Sequence, residues 1–144
     1  MTTDIAQIQE DFGFLDEWED RYRYLIDLGR QLEPLPETAR IEANKVKGCV
    51  SQVWLETLAG EGSDPQIRLR GDSDAHIVRG LVALMLAFYS GRRASDIVEA
   101  DAETLLRSLG LEEHLTPQRA NGLRSMIARI RNEAASRLEA ASVS

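Results

Sequence analysis

The most reactive side chain in this sequence belongs to its one cysteine, Cys49, in the stretch KVKGCVSQVWL. A lone thiol forms no internal disulfide, but its thiolate is a strong nucleophile that attacks sulfur already bonded to sulfur. Gly48 precedes the cysteine, and Ser51 follows shortly after it. Lys45 and Lys47 add positive charge, which favours the thiolate. We therefore predict that Cys49 is a reactive thiol on a loop. The flexible backbone of Gly48 is expected to let this loop present the Cys49 sulfur to a partner.

A buried core position is the competing interpretation of Cys49, because free cysteines are among the most buried residues. The neighbouring Gly48 and Ser51 argue against it, since they are typical of a connection rather than the apolar-periodic interior of a helix or strand. Connections mostly run over the surface and carry function. The sequence therefore favours a functional thiol.

The two histidines, His76 and His114, offer other chemistries for the thiol. Paired with either one, Cys49 has the composition of a cysteine hydrolase dyad, although nothing in the sequence indicates an oxyanion hole. A zinc site made of one cysteine and two histidines lacks a fourth ligand and ligand-like spacing. We therefore expect no metal or other cofactor on this chain and no stand-alone turnover. The hydrolase remains an unfavoured alternative, testable by asking whether the pure protein turns over a thioester or a peptide.

Hydrophobic periodicity predicts the elements on the N-terminal side of the loop and just after it. Helical spacing indicates helices over residues 5–12 and 17–31, and the sequence EPLP ends the second. Between residues 45 and 70 the period changes to two, which is typical of strands, and the first strand starts near Gln52. The turn-rich GEGSDP separates two such runs, so this region is predicted to be a hairpin.

Helical periodicity returns at Asp74 and continues almost to the end. A central helix, apolar on most sides, runs from Asp74 and stops at Gly91, and a short helix follows at residues 96–109. Thr116 and Pro117 supply an N-cap and a first-turn proline for a last helix. Its predicted buried stripe is Leu123, Met126, Ile127, Ile130, Ala134 and Leu138, with Arg124, Arg131 and Arg137 mostly turned outward.

This order of elements predicts one α+β domain over residues 1–144. N-terminal helices precede a small antiparallel sheet, and a C-terminal helical layer packs on that sheet. The length of 144 residues and the hydrophobic content of 43% suit a single compact domain. We expect disordered ends at residues 1–4 and 139–144.

Charge and hydropathy limit the classes of partner. The net charge of -7 disfavours nucleic acid, whose binding depends on clustered Lys and Arg. The longest apolar run, LVALMLAFY, is far shorter than the ~20 residues that span a bilayer, and the polar, acidic start lacks the pattern of a signal peptide. We therefore expect a soluble, cytoplasmic protein with neither nucleic acid nor membrane as a partner.

Four segments occur in the order GCVSQVWL, GDSDAHIVRGLVALML, SDIVEAD and EHLTPQRANGLRSMIARIR. Together, over roughly residues 18–137, they resemble the SufE family, the sulfur acceptors of iron-sulfur cluster assembly. The resemblance implies that Cys49 accepts sulfur from the persulfide of a cysteine desulfurase of the SufS type, which it stimulates. The pyridoxal phosphate (PLP) cofactor belongs to the desulfurase, and the sulfur passes to an iron-sulfur scaffold of the SufBCD type. The alternative is an acceptor that serves a paralogous desulfurase in another sulfur pathway.

A single thiol suits a carrier in this family. A second cysteine close by would tend to attack the carried persulfide and release its sulfur early. Related scaffold proteins need several thiolate ligands to hold a cluster, and this chain has one cysteine. The cysteine count therefore favours the acceptor over the scaffold.

The resemblance also places supporting residues around the thiol and on the partner surface: Gly48, Ser51, Gln52, Asp74 and Arg119. From capping preferences we expect Asp74 to cap the central helix, and the resemblance implies that it also holds the cysteine loop by hydrogen bonds. Arg119 lies at the start of the last helix, where a cation opposes the helix dipole. It either pairs with a carboxylate of the loop or partner or is a solvated surface arginine.

Three further expectations are local. Val50 is predicted to tuck the loop against the body of the protein and so shelter the thiol. Gln52 and Trp54 are predicted to support the sheet. Arg93 and Ala94 stand where many SufE proteins begin a helix with Thr-Pro, so that helix is expected to use Ser95 or another group as its cap, or to fray.

Overall fold

The computed structural model describes the backbone of residues 4–143 and the side chains of residues 4–139. Within that range the chain forms the predicted α+β domain, with one antiparallel sheet of strand order β1-β2-β3. Two short 3₁₀ helices, Glu37–Ala39 and Glu42–Asn44, precede the sheet. The strands are β1 (Val53–Ala59), β2 (Gln66–Ser73) and β3 (Arg92–Arg93). The α-helices are α1 (Ile5–Phe14), α2 (Trp18–Arg30), α3 (His76–Tyr89), α4 (Ala94–Glu99), α5 (Ala102–Ser108), α6 (Leu111–His114) and α7 (Pro117–Val143).

Helix α3 is the centre of the core, as its mostly apolar sequence predicts. It packs closely on α2: a Cβ added to Gly80 would overlap the carbonyl oxygen of Leu25, and one added to Gly29 would lie 2.7 Å from the Gly80 nitrogen. The two backbones therefore touch at a pair of glycines. The sheet covers another side of α3, and Leu81 and Leu84 of this helix are completely buried.

The predicted hairpin is confirmed, with Val53 opposite Ser73 and Ala59 opposite Ile67. The short third strand was not predicted, because it has only two residues and both are arginines. The chain reaches it after α3 ends, where the N–H of Gly91 donates to the carbonyl oxygen of Ile67 at 2.7 Å. Gly91 has φ +89°, a left-handed value that suits glycine at the end of a helix.

The single short helix expected at residues 96–109 is wrong, because the structure has α4 and α5 in that region. Asp101 separates them: its carboxylate accepts the N–H of Thr104 at 3.1 Å and so caps α5. Helix α4 is capped from a distance by Asp64 of the hairpin turn, which accepts both the N–H and the hydroxyl of Ser95. Of the expected alternatives, Ser95, another group or fraying, the structure therefore has another group, the Asp64 carboxylate, as the cap of α4.

Helix α7 begins at Pro117, and the Thr116 hydroxyl accepts the N–H of Arg119 at 3.3 Å, as the predicted N-cap requires. Its apolar stripe packs into the core, and its predicted outward arginines are exposed. Disordered ends were predicted at residues 1–4 and 139–144. Residues 1–3 and 144 lie outside the described residues, whereas Asp4 caps α1 and residues 139–143 continue α7. Of the helices described, none has the length and apolarity that crossing a bilayer requires.

Candidate functional site

The cysteine loop, residues 47–52, connects the 3₁₀ helix Glu42–Asn44 to β1. Its backbone turns at Gly48, where φ is +87°. Glycine adopts this left-handed angle easily, whereas other residues are strained there. A Cβ at this position would also lie 2.7 Å from the Oγ of Ser125 in α7. Position 48 therefore suits glycine for two reasons, its backbone angle and its close approach to α7.

The Cys49 side chain is half-buried against the first turns of α7. Its Sγ lies 3.6 Å from the carbonyl oxygen of Gly122, to which the thiol donates a weak hydrogen bond. A Cβ at Gly122 would lie 3.5 Å from this sulfur, so the absence of a side chain leaves room for the thiol. Burial raises the pKa of the Cys49 thiol above its ordinary value, because a charged thiolate is poorly solvated there.

The expectation that Lys45 and Lys47 promote the thiolate is wrong for this conformation. The ammonium of Lys47 lies 2.7 Å from a carboxylate oxygen of Glu42, and that of Lys45 lies 3.9 Å from the other oxygen. These lysines are paired on the outside of the loop, and burial alone shifts the pKa of Cys49 upward. The resting site therefore holds a neutral thiol at pH 7.

The expectation that Val50 tucks the loop against the protein is also wrong. Val50 is 79% exposed, so its side chain is not packed against the body. The thiol is sheltered from the other side, by Gly122 of α7.

A pocket of about 260 Å³ lies beside Cys49. The Cys49 pocket brings together three of the predicted site residues, Cys49, Ser51 and Arg119, from the loop and from α7. Its remaining lining residues are Val50, Val78, Leu81, Thr116, Gln118, Gly122 and Met126. The apolar part of this lining comes mainly from α3 and α7, which are fixed in the core, so one wall is rigid and the loop wall carries the thiol.

Asp74 does not cap the central helix, contrary to expectation. Helix α3 starts at His76 with Ala75 as the N-cap residue, and no side chain makes the capping hydrogen bond. Instead, Asp74 is bound to Gln52 at the end of the cysteine loop by two hydrogen bonds. Its carboxylate accepts the Gln52 N–H at 3.0 Å, and its own N–H donates to the Gln52 carbonyl oxygen at 3.3 Å. The side chain acts on the loop because β1 and β2 place these two residues directly opposite each other.

Arg119 lies in the first turn of α7, with its guanidinium over the ring of Tyr22 in α2, 5.9 Å from the ring centre. Among the described residues, no carboxylate forms an ion pair with it. The side chain is half-buried, so it is not the fully solvated surface arginine of the alternative. Pairing with a partner carboxylate stays a prediction.

Sequence analysis missed the residue that fastens the segment just before the cysteine loop, Arg129 of α7. Its guanidinium donates to the carbonyl oxygens of Lys45 at 3.0 Å and Ala43 at 2.6 Å, and it pairs with Glu133 at 3.1 Å. The sequence offered only a weak signal, the position of Arg129 between Ile127 and Ile130 of the apolar stripe. The sequence alone did not say which segment would pass over it.

Trp54 of β1 is in contact with a charged cluster around Asp72. Asp72 is 8% exposed, and its two oxygens lie 2.6 Å from Nη2 of Arg40 and 2.9 Å from Nε of Arg79. Arg40 in turn lies over the Trp54 ring at 5.0 Å, and Trp54 pairs with Asp72 across the hairpin and with Lys45 on its other edge. This arrangement gives Trp54 a supporting position in the sheet.

Neither histidine lies at the thiol. His76 is exposed at the start of α3, and His114 stacks on Trp18 with ring centres 4.7 Å apart, so neither lines the Cys49 pocket. The hydrolase dyad therefore has no base in this arrangement. In the part of the chain that the structure describes, no group of three or more His, Cys, Asp or Glu residues is placed to hold a metal ion.

Comparisons with known proteins point to one family. The SufE profile, described as an Fe-S metabolism associated domain, matches residues 6–134. An uncharacterised SufE-like protein of Rhizobium meliloti (strain 1021) is 59% identical over 139 residues, which cover 96% of this chain and 99% of that protein. A SufE-like protein of Rhizobium etli is 56% identical over 131 residues, which cover 90% of this chain and 88% of that protein.

The fold has also been seen in a solved structure. The solution structure of a hypothetical protein from Thermus thermophilus is similar to this one with a TM-score of 0.73. The two chains are 24% identical, and the similarity covers 93% of this chain and 95% of the other. At that identity the likeness shows the fold alone.

Proposed function

Because the chain belongs to the SufE family and has an accessory sulfur-transfer role in Fe-S metabolism, we propose that Cys49 is the residue that takes the sulfur. The donor is a PLP-dependent cysteine desulfurase of the SufS type, which the protein stimulates by removing its persulfide. The receiver is an iron-sulfur scaffold of the SufBCD type, in the cytoplasm. PLP stays on the desulfurase, and this chain has no turnover of its own.

The transfer is a thiol exchange at the outer sulfur of the desulfurase persulfide. The Cys49 thiolate attacks that sulfur, so a new S–S bond forms at Sγ while the S–S bond of the desulfurase persulfide breaks. The electron pair of the broken bond leaves with the desulfurase cysteine, and the proton lost by Cys49 returns to the thiolate so formed. One S–S bond replaces another, so the step needs neither an oxidant nor a reductant.

The observation that carries this proposal is the position of Cys49 on a loop beside a pocket of about 260 Å³. A persulfide adds one sulfur atom to the cysteine, and the pocket has room for it. Its apolar lining from Val78, Leu81 and Met126 keeps water, and the reductants dissolved in it, away from the carried sulfur. A carrier needs this protection, since an exposed persulfide is open to attack by any thiol.

The loop must leave its resting position for the transfer to occur. At rest, burial keeps the Cys49 thiol neutral, and a neutral thiol is a poor nucleophile. When a docked desulfurase draws the loop outward, the thiol loses its burial and its pKa returns toward the ordinary value. Exposed Val50 is an apolar contact for that partner, and release requires breaking the Gln52–Asp74 hydrogen bonds. The thiol is thus passive at rest and reactive in the complex.

Intact mass spectrometry after incubation with a cysteine desulfurase of the SufS type and cysteine tests the proposal. The parent protein is expected to gain mass in steps of one sulfur atom on Cys49, and sulfide release in the presence of a reductant is expected to rise. Cys49→Ser is expected to do neither, because a hydroxyl offers almost no anion at neutral pH and forms no persulfide.

Two controls complete this experiment. Ser63→Ala removes a hydroxyl from the exposed hairpin turn, outside the Cys49 pocket, so it is expected to gain sulfur like the parent. Cys49→Ser is expected still to dock, and therefore to compete with the parent for the desulfurase. If Cys49→Ser stimulates the desulfurase as strongly as the parent, the protein acts without accepting sulfur, and the proposal is wrong.

A further inference from the structure

A row of stacked side chains runs from α6 across α2 to the Cys49 pocket. His114 stacks on Trp18 at 4.7 Å, Trp18 meets Tyr22 edge to face at 6.5 Å, and the Arg119 guanidinium lies over Tyr22 at 5.9 Å. Arg119 is also part of the pocket lining. The row therefore ends in the cation of Arg119 at the Cys49 pocket, where the proposed function places an anionic sulfur.

The location of Arg119 is electrostatically unfavourable for a cation without a partner. It lies in the first turn of α7, where the helix dipole is positive, and no carboxylate among the described residues pairs with it. The contact that remains is the aromatic face of Tyr22, which attracts a guanidinium. The direction in which the guanidinium points is therefore set by this ring.

Tyr22 is well placed to fix that direction. It belongs to α2, which packs tightly against the central helix α3 and is therefore a rigid support. The ring is half-buried against the core and has Trp18, one turn earlier on α2, at its edge. A rigid ring beneath a long, flexible arginine removes much of the rotamer freedom that this side chain has in solvent.

We propose that Tyr22 is a positioning residue: with Trp18 at its edge, it holds the Arg119 guanidinium toward the Cys49 pocket, where it attracts an anionic sulfur or an anionic reagent. The proposal rests on the proposed function for the identity of the natural anion, the persulfide on Cys49. The attraction itself is a property of the pocket and exists without any desulfurase. Tyr22 acts through Arg119 and does not touch the sulfur.

The test compares two thiol reagents of nearly equal size on the full chain, anionic iodoacetate and neutral iodoacetamide. In both reactions the Cys49 thiolate forms a bond to the CH₂ carbon and iodide leaves with the bonding electrons. Both react with the same thiolate of Cys49 beside the pocket, so the ratio of the two rates cancels the accessibility and the ionisation of the thiol. What remains is the preference of the pocket for a negative charge.

Arg119→Met is expected to lower the iodoacetate to iodoacetamide ratio by about twofold to fivefold, the range of a partly screened ion pair. Tyr22→Leu keeps the arginine but removes the ring, and is expected to lower the ratio nearly as much. Tyr22→Phe keeps the ring and is expected to retain the parent ratio. Adding Tyr22→Leu to Arg119→Met is expected to cause no further loss, because the ring acts through the arginine.

Arg124→Met is the matched control for loss of one positive charge. Arg124 is also on α7 but is exposed, lies 3.6 Å from Glu112 and does not line the pocket, so its removal is expected to leave the ratio unchanged. Tyr22→Met is a second ringless variant if Tyr22→Leu proves unstable by thermal denaturation. The proposal is overturned if a folded Tyr22→Leu or Tyr22→Met variant, or Arg119→Met, has the same iodoacetate to iodoacetamide ratio as the parent.

The same variants separate this proposal from the proposed function. If the ratios behave as expected but the parent accepts no sulfur from a desulfurase, the positioning role holds and the sulfur-transfer assignment of Cys49 fails. If sulfur is accepted and the ratio is indifferent to Tyr22, the sulfur-transfer assignment holds and the positioning role is overturned.

Discussion

Gly48→Ala is the most direct test of whether the resting loop shelters the thiol. Gly48 has φ +87°, and an added Cβ would lie 2.7 Å from the Ser125 Oγ. The left-handed backbone angle costs an alanine about 1–2 kcal/mol. The Ser125 hydroxyl is the end of a short rotatable side chain, so most of the clash is relieved by its rotation, and the backbone term sets the magnitude.

This free energy is lost only in the resting conformation, because an open loop is free to adopt another backbone angle. The open population is therefore expected to rise by about 5- to 30-fold while it remains the minor state. Cys49 is the chain's one cysteine, so alkylation by iodoacetamide, followed by intact mass, reports on this population directly. The expected result is a rise of the same size in the alkylation rate at pH 7.

Gly62→Ala is the matched control for this variant. Gly62 also has a positive φ, +104°, but lies in the hairpin turn with nothing within 4 Å of an added Cβ. It suffers the same kind of backbone strain far from the thiol, so it is expected to lower stability and leave the alkylation rate of Cys49 unchanged. Equal rates for Gly48→Ala and the parent, or equal acceleration by both variants, would refute the reasoning.

Three further predictions concern the core, the loop contact and the thiol. Leu84→Ala is expected to lower the free energy of unfolding by about 2–5 kcal/mol in urea denaturation, since Leu84 is completely buried in α3. An unchanged urea midpoint would show that Leu84 is not part of the core. Asp74→Ala is expected to speed Cys49 alkylation, because it removes the acceptor of the Gln52 N–H. Asp74→Asn keeps a side-chain oxygen as acceptor and is expected to have a smaller effect. Equal effects of the two variants would show that the amide oxygen of asparagine does not replace the carboxylate oxygen. Because burial raises the pKa of Cys49, the neutral thiol stabilises the resting fold below the ordinary thiol value of about 8.5, and this contribution is lost as the pH rises through the raised value. The free energy of unfolding of the parent is therefore expected to fall relative to Cys49→Ala above about pH 8.5, and a constant difference would contradict the burial of the thiol.

The elements of this fold could be predicted from the sequence because they depend on local patterns. Hydrophobic spacing indicated both ends of α2 and α3 within one or two residues, and the change of period to two indicated the hairpin. The end of α7 was not predicted, since this helix continues to Val143. The capping residue Thr116 marked the start of α7. The pattern around residues 96–109 failed because Asp101 has helix-compatible neighbours on both sides but uses its own side chain as a cap.

The candidate site could be predicted only as a set of residues. Cys49 with its flanking motif was enough to name the thiol, and the motif segments were enough to name the family. The electrostatic state of the thiol was not predicted correctly, since Lys45 and Lys47 are near Cys49 in sequence but their charges are paired with Glu42. A short separation in sequence does not determine which group a side chain faces in the folded structure.

What the sequence by itself determined was the order of the main elements and the position of the one candidate thiol, Cys49, on the connection before the hairpin. What only the tertiary structure decided was the environment of that thiol. Its hydrogen-bond acceptor Gly122 is 73 positions away along the chain, and the segment before it is bound by Arg129, 84 positions after Lys45. The physical reason is that burial and hydrogen bonding depend on distances through space, and the packing of α7 against the loop sets these distances.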